Sequence, residues 1–96
     1  MDPSDVSWHD RKASANWAKH HITFLDAKAA LRDPGVRVWV DAEHEPLGDR
    51  FHHLGLDWHG RLLFLVTEQK PDGTIRLISA RRATKREEHA YTTGFR

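Results

Sequence analysis

A chain of 96 residues and 11.1 kDa suffices for one compact domain, residues 1–96, and is too short for two that each bury their own interior. At 39% hydrophobic and 30% charged residues, with four Trp, four Phe and one Tyr, the composition excludes a disordered chain, and the absence of cysteine excludes disulfide frameworks and thiolate metal centres. The net charge of +1 hides an asymmetry: residues 1–73 carry 9 Lys or Arg against 12 Asp or Glu, residues 74–96 carry 6 against 2, so the last quarter offers a basic surface to an anionic partner, unless it is simply a solvated helix.

No apolar leader or membrane-length run opens the chain, and a cytoplasmic address is the default expectation, with no membrane partner. Asp10 to His20 is rich in Ala, Lys and Arg, with Ala13, Trp17 and His20 three or four apart, which predicts an amphipathic helix preceded by a short extended piece around Trp8. Thr23 is placed to cap a second helix with Asp26 three residues on; Phe24, Ala27, Ala30 and Leu31 form its apolar face, and Asp33-Pro34-Gly35 stops it.

The period then changes from 3.6 to 2. Arg37 to Asp41 alternates, Arg50 to Leu56 reads as strand, and Leu62 to Val66 is an apolar run suited to a central strand buried on both faces. Lys70-Pro71-Asp72-Gly73 supplies hairpin turn chemistry and leads into a fourth strand, Ile75 to Arg81, antiparallel to the third. Thr84-Lys85-Arg86-Glu87 is a capping box that opens a last helix to about Thr93, with only Ala90 and Tyr91 as inward residues. The expected fold is α+β: two N-terminal helices, a four-stranded, mainly antiparallel sheet and a C-terminal helix, with the helices on one face and function on the other.

Trp8, Lys12-Ala13, Asn16, Lys19-His20, Phe24 and Ala27 follow the spacing W-x₃-K-A-x₂-N-x₂-K-H-x₃-F-x₂-A, and Gly60-Arg61-Leu62-Leu63 precedes a block from Ile75 through Ile78-Ser79-Ala80-Arg81 to Glu87 and Tyr91. In these blocks, which span nearly the whole chain, the sequence resembles the BrnT family of toxins from bacterial type II toxin–antitoxin systems. The resemblance implies a fold like that of RelE-type ribonucleases and translation arrest by RNA cleavage. It also implies neutralisation by a cognate BrnA-like antitoxin whose other half binds DNA, so that DNA is met only indirectly. The chain departs from the family at His9, where Asp is usual, and at His21, where Gly is usual; the second change asks a histidine to take positive φ or reshape the turn.

Cleaving RNA needs a base for the 2′-hydroxyl, an acid for the 5′-oxygen and cations for the charge on the phosphorane. Arginine suits the last role, since its guanidinium stays charged and grips phosphate with two donors. Arg81, at a strand end, is the expected transition-state cation, unless it pairs with Glu43, Glu45 or Glu87; Arg50 is the second. Strict alternation puts Arg76 and Arg81 on opposite faces. Tyr91 is a candidate base or stacking platform, as RelE-like enzymes use a C-terminal Tyr, and Lys19 and His20 are candidates for proton handling, His20 as the acid. Arg61, Arg76, Arg82, Lys85 and Arg86 are candidates for binding RNA, free or on the ribosome.

Neither His20-His21 nor His52-His53 can chelate one ion in an ordinary way, so no metal or other cofactor is expected. Trp17, Trp39, Phe51 and Phe64 read as core aromatics, and Trp58 and Phe95 as an exposed patch fit for the antitoxin. The rival reading is a non-catalytic module whose basic helix binds protein or RNA without cutting it.

Overall fold

The computed structural model describes residues 5–44 and 49–94. Its elements are β1 (Val6–Ser7), α1 (Asp10–His20), α2 (Phe24–Ala30), β2 (Arg37–Val40), a 3₁₀ turn at Ala42–His44, β3 (Arg50–Leu56), β4 (Leu62–Gln69), β5 (Ile75–Arg82) and α3 (Lys85–Thr93). The strands form one sheet in the order β1-β5-β4-β3-β2. Five strands replace the expected four: Val6 and Ser7 pair in parallel with Ile75 and Arg76, a ladder too short to leave an alternating pattern in the sequence. The other pairings are antiparallel, with β4 at the centre.

Local chemistry explains the boundaries. Asp10 lies in the first turn of α1 and Lys19 and His20 in the last, each favoured by the helix dipole. The helix ends at His21, which takes the left-handed conformation at φ 57°; its N–H donates to Trp17 O at 2.9 Å and its ring meets the Trp17 indole edge-on at 5.2 Å. Thr23 Oγ1 caps α2 by accepting from Asp26 N. The predicted box at α3 is present: Glu87 N donates to Thr84 Oγ1, and Glu87 Oε1 accepts from Thr84 N.

Ile22, Phe24, Ala27, Ala30 and Leu31 pack against Leu63, Leu65, Leu77 and Ala80 on one sheet face. Close approach of α2 to β3 requires Gly55, where a Cβ would stand 2.2 Å from the Ala30 carbonyl oxygen. Buried Asn16 joins α1 to the edge of β5: its amide donates to Ala80 O at 2.9 Å and Ile22 O at 3.0 Å and accepts from Ala80 N at 2.9 Å. It thereby satisfies backbone groups that a neighbouring strand would otherwise pair.

β4 is buried on one face only, its even positions 62, 64, 66 and 68 being partly exposed. The helices also do not all share a face. α1 and α2 cover the side of Leu63 and Leu65, whereas α3 reaches the opposite side, where Glu87 binds Arg81 and the Tyr91 carbonyl accepts from Arg37 Nε at 3.1 Å. α3 buries none of its residues fully, so polar contacts hold it there. No helix among the described residues is long and apolar enough to cross a membrane.

Candidate active site

On the face opposite α1 and α2, register brings side chains from four strands into rows. One contains Arg37, Leu54, Phe64 and Arg81; the next contains Trp39, His52, Val66 and Ser79; a third contains Arg50, Glu68 and Arg76, with Asp41 N bound to Arg50 O at its end. α3 lies against the first row, while the residues of the other two remain partly exposed.

Arg76 and Arg81 share this face, contrary to strict alternation. The β4–β5 ladder runs Val66↔Ser79 and then Thr67↔Leu77, so Ile78 is an extra residue in β5. The bulge shifts the alternation by one and turns both guanidinium groups to the same side. Arg76 pairs with Glu68 at 3.5 Å, and Arg81 lies 4.2 Å above the centre of the Phe64 ring.

Arg81 also meets Glu87 through two parallel bonds of 2.9 Å and donates to the Arg82 carbonyl. Of the three carboxylates considered for it, Glu87 is the partner; Glu45 lies outside the described residues. The pair does not withdraw Arg81 from the surface, since 35% of its side chain is exposed. Burial alone would raise the Glu87 carboxyl, but bonds from Arg81 and Thr84 outweigh it and hold the group below the ordinary range.

His20, at the end of α1, feels the same guanidinium from across the sheet edge. Burial first, then Lys19 and Arg81, lower its pKa from the ordinary value and favour the uncharged imidazole. Lys19 is exposed beside it.

Tyr91 has another partner than substrate. Its hydroxyl donates to Asp33 Oδ2 at 2.5 Å, and burial, followed by this bond, pushes its pKa up to about 12, which makes it a poor base. Arg61, expected to bind RNA, is locked between Asp26 at 2.9 Å and Asp57 at 2.8 Å and ties the turn after β3 to α2. Arg50 Nε is buried and has no hydrogen-bond partner among the described residues. Arg82 at the end of β5 and Lys85 and Arg86 at the start of α3 are exposed, Lys85 standing 4.0 Å from Glu88.

Four site residues escaped the sequence reading. His52 Nε2 lies 3.2 Å from Asp41 Oδ2, and the His52 ring packs against Trp39 at 5.4 Å and Phe64 at 5.0 Å between centroids. Trp39 and Phe64 thus belong to the partly open surface and not to the core, and Trp17 is also exposed, whereas Trp58 is the exposed aromatic expected. Phe95 lies outside the described residues. Alternation does put Trp39 with Asp41 and His52 with Arg50, but only the β2–β3 register joins the two sets. Among the described residues no three His, Cys, Asp or Glu side chains converge as a metal site.

An open sheet face carrying arginines, edge-on and tilted rings and a histidine–carboxylate pair is chemistry suited to a polyanion with flat bases. The family model described as "Ribonuclease toxin, BrnT, of type II toxin-antitoxin system" matches residues 8–87. The chain belongs to the BrnT family. The crystal structure of the Brucella abortus ribonuclease toxin BrnT superposes with a TM-score of 0.65 at 21% identity, over 83% of this chain and 96% of that one, and so shares the fold. No curated protein matches the chain. Within the BrnT family frame, Trp8, α1, α2, β2 to β5 and the first turn of α3 through Glu87 fall inside the matched span, while β1 precedes it and Tyr91 falls beyond it.

Proposed function

We propose that this chain is an endoribonuclease toxin that cleaves RNA without a metal ion, arrests translation in the cytoplasm and is neutralised by a small BrnA-like antitoxin. The observation that carries the reading is the cation-lined open face, on which Arg50, Arg76 and Arg81 stand beside Trp39, His52 and Phe64. Aromatic rings offer stacking to successive bases, worth about 1–3 kcal/mol each, and guanidinium groups hold the phosphates between them.

In this reading Arg81 and Arg50 grip the scissile phosphate and take up the charge that grows on its oxygens. Glu87 occupies the Arg81 fork in the free protein, as a carboxylate standing where two phosphate oxygens would bind. Arg76, Arg82, Lys85 and Arg86 hold the flanking backbone. Lys19 and His20 attend the phosphate from the end of α1, and Tyr91 positions α3. The exposed Trp58, on the turn fixed by Arg61, is a contact for the antitoxin.

The test incubates the protein with single-stranded RNA in EDTA, with and without ribosomes. Cleavage is expected, and Arg81→Ala should slow it by about a hundredfold or more, the usual cost of removing a preorganised oxyanion partner. RNA left intact under every condition would overturn the enzymatic reading and leave a binding module. Co-expression of the neighbouring reading frame should relieve toxicity.

A further inference from the structure

We infer that His52 is the general base of RNA cleavage and that Asp41 is its positioning residue; the inference rests on the ribonuclease reading above. A neutral imidazole has one N–H and one lone pair, and the partner of the first determines which nitrogen carries the second. With Nε2 facing Asp41 Oδ2 at 3.2 Å, the proton belongs on Nε2 and the lone pair on Nδ1. The ring cannot turn freely, because Trp39 stands edge-on to it at 5.4 Å and Phe64 lies at 5.0 Å.

Phe64 also fixes the distance scale. Arg81 lies 4.2 Å from the centre of the same ring that His52 meets at 5.0 Å, so the imidazole and the guanidinium flank one aromatic platform and reach a single nucleotide stacked there. Tyr91 spends its hydroxyl on Asp33, and His20 has no carboxylate partner among the described residues to orient its ring. His53, the next residue, is turned to the other side of the sheet, where it bonds Thr67.

The step balances without a co-reactant other than water. His52 Nδ1 takes the proton of the 2′-hydroxyl as the 2′-oxygen bonds to phosphorus, and Arg81 holds the non-bridging oxygens. The bond from phosphorus to the 5′-oxygen breaks, and that oxygen takes a proton from water. The products are a 2′,3′-cyclic phosphate and a 5′-hydroxyl, and His52 returns its proton to solvent.

The experiment measures kcat and KM for a short single-stranded RNA with the full chain, His52→Ala, His52→Gln and Asp41→Asn, each first confirmed folded by circular dichroism. Both His52 variants should lose about a hundredfold or more in kcat at nearly unchanged KM, within the usual range for a general base. Added imidazole should restore part of the activity of His52→Ala and none of that of His52→Gln, whose side chain still fills the space. Asp41→Asn should lower kcat about tenfold or more, with KM unchanged. Wild-type cleavage matched by His52→Ala would overturn the assignment of His52 alone, as would a loss that imidazole does not rescue or that appears in KM. Wild-type protein that leaves RNA intact would instead overturn the ribonuclease reading, and this one with it.

Discussion

Replacing Tyr91 by Phe removes one oxygen and tests whether that hydroxyl serves the fold or the reaction. The hydroxyl donates to Asp33 Oδ2, which also accepts from Leu56 N at 2.9 Å, while Asp33 Oδ1 accepts from Gly35 N at 2.9 Å. A hydrogen bond to a charged acceptor contributes about 1.5–3 kcal/mol; both groups here reach solvent and Asp33 keeps two other donors, so about 1–2 kcal/mol is expected. For a domain of this size that lowers Tm by roughly 5–15 °C.

The pH dependence of this difference has a definite sign. Burial alone would raise the Asp33 carboxyl, but the bonds from Tyr91, Leu56 and Gly35 outweigh it and hold it low. Its contribution is therefore present above the ordinary carboxylate pKa and lost as pH falls through the lowered folded value. Tyr91 is raised from 10.0 to about 12, so its contribution is present below pH 10 and lost as pH climbs toward 12. Thermal melts of the two proteins should thus differ most at intermediate pH. A Cβ at Gly35 would stand 2.9 Å from the Tyr91 oxygen but 3.6 Å from its ring carbon, so Gly35→Ala should destabilise the natural chain and be nearly neutral beside Tyr91→Phe. If Tyr91→Phe instead keeps the natural Tm and abolishes RNA cleavage, the hydroxyl acts in the chemistry and the structural account of it is wrong.

Three further predictions concern other parts of the molecule. Asn16→Ala strips the buried Ala80 N–H and carbonyl of their partner and should cost roughly 2–4 kcal/mol in urea melts; a loss under about 1 kcal/mol would show that water replaces the amide. His53, fully buried with its pKa lowered from 6.5 to about 4, by burial first and then by His52, leaves the folded state with fewer bound protons than the unfolded one between those values. Stability should fall by roughly 3 kcal/mol as pH drops through that window, a slope that His53→Leu with Thr67→Val should flatten in pH-dependent melts. Glu87→Gln keeps the capping box and frees Arg81, so filter binding should show tighter RNA association with a steeper salt dependence, at a stability change under about 1 kcal/mol. Unchanged affinity would mean that Arg81 does not meet phosphate.

The sequence was most informative where a signal is local. Thr23 with Asp26, Thr84 with Glu87 and the Lys70–Gly73 turn each mark an element within four residues, and the missing glycine at His21 left two outcomes open, positive φ or a reshaped turn, of which the histidine takes the first. Partnerships across strands were out of reach. Nothing near Arg61 announces Asp26, 35 residues earlier, and nothing near Tyr91 announces Asp33, 58 residues earlier. β1 has only two paired residues, and α3, with no buried side chain, has no apolar stripe to say which side of the sheet it meets. The site suffered most, because Asp41 meets His52 only after β2 and β3 align.

The unmatched Ile78 has a consequence for any rebuilding of this sheet. Exchanging a side chain at 76 or 81 alters one charge, whereas straightening the bulge at unchanged chain length would restore strict alternation and swing one of the two arginines through to the helix-packed side. Strand pairing at this spot is thus itself a determinant of surface electrostatics. A graft that copied both arginines, five residues apart, onto a strand without the bulge would carry the right letters and assemble the wrong wall.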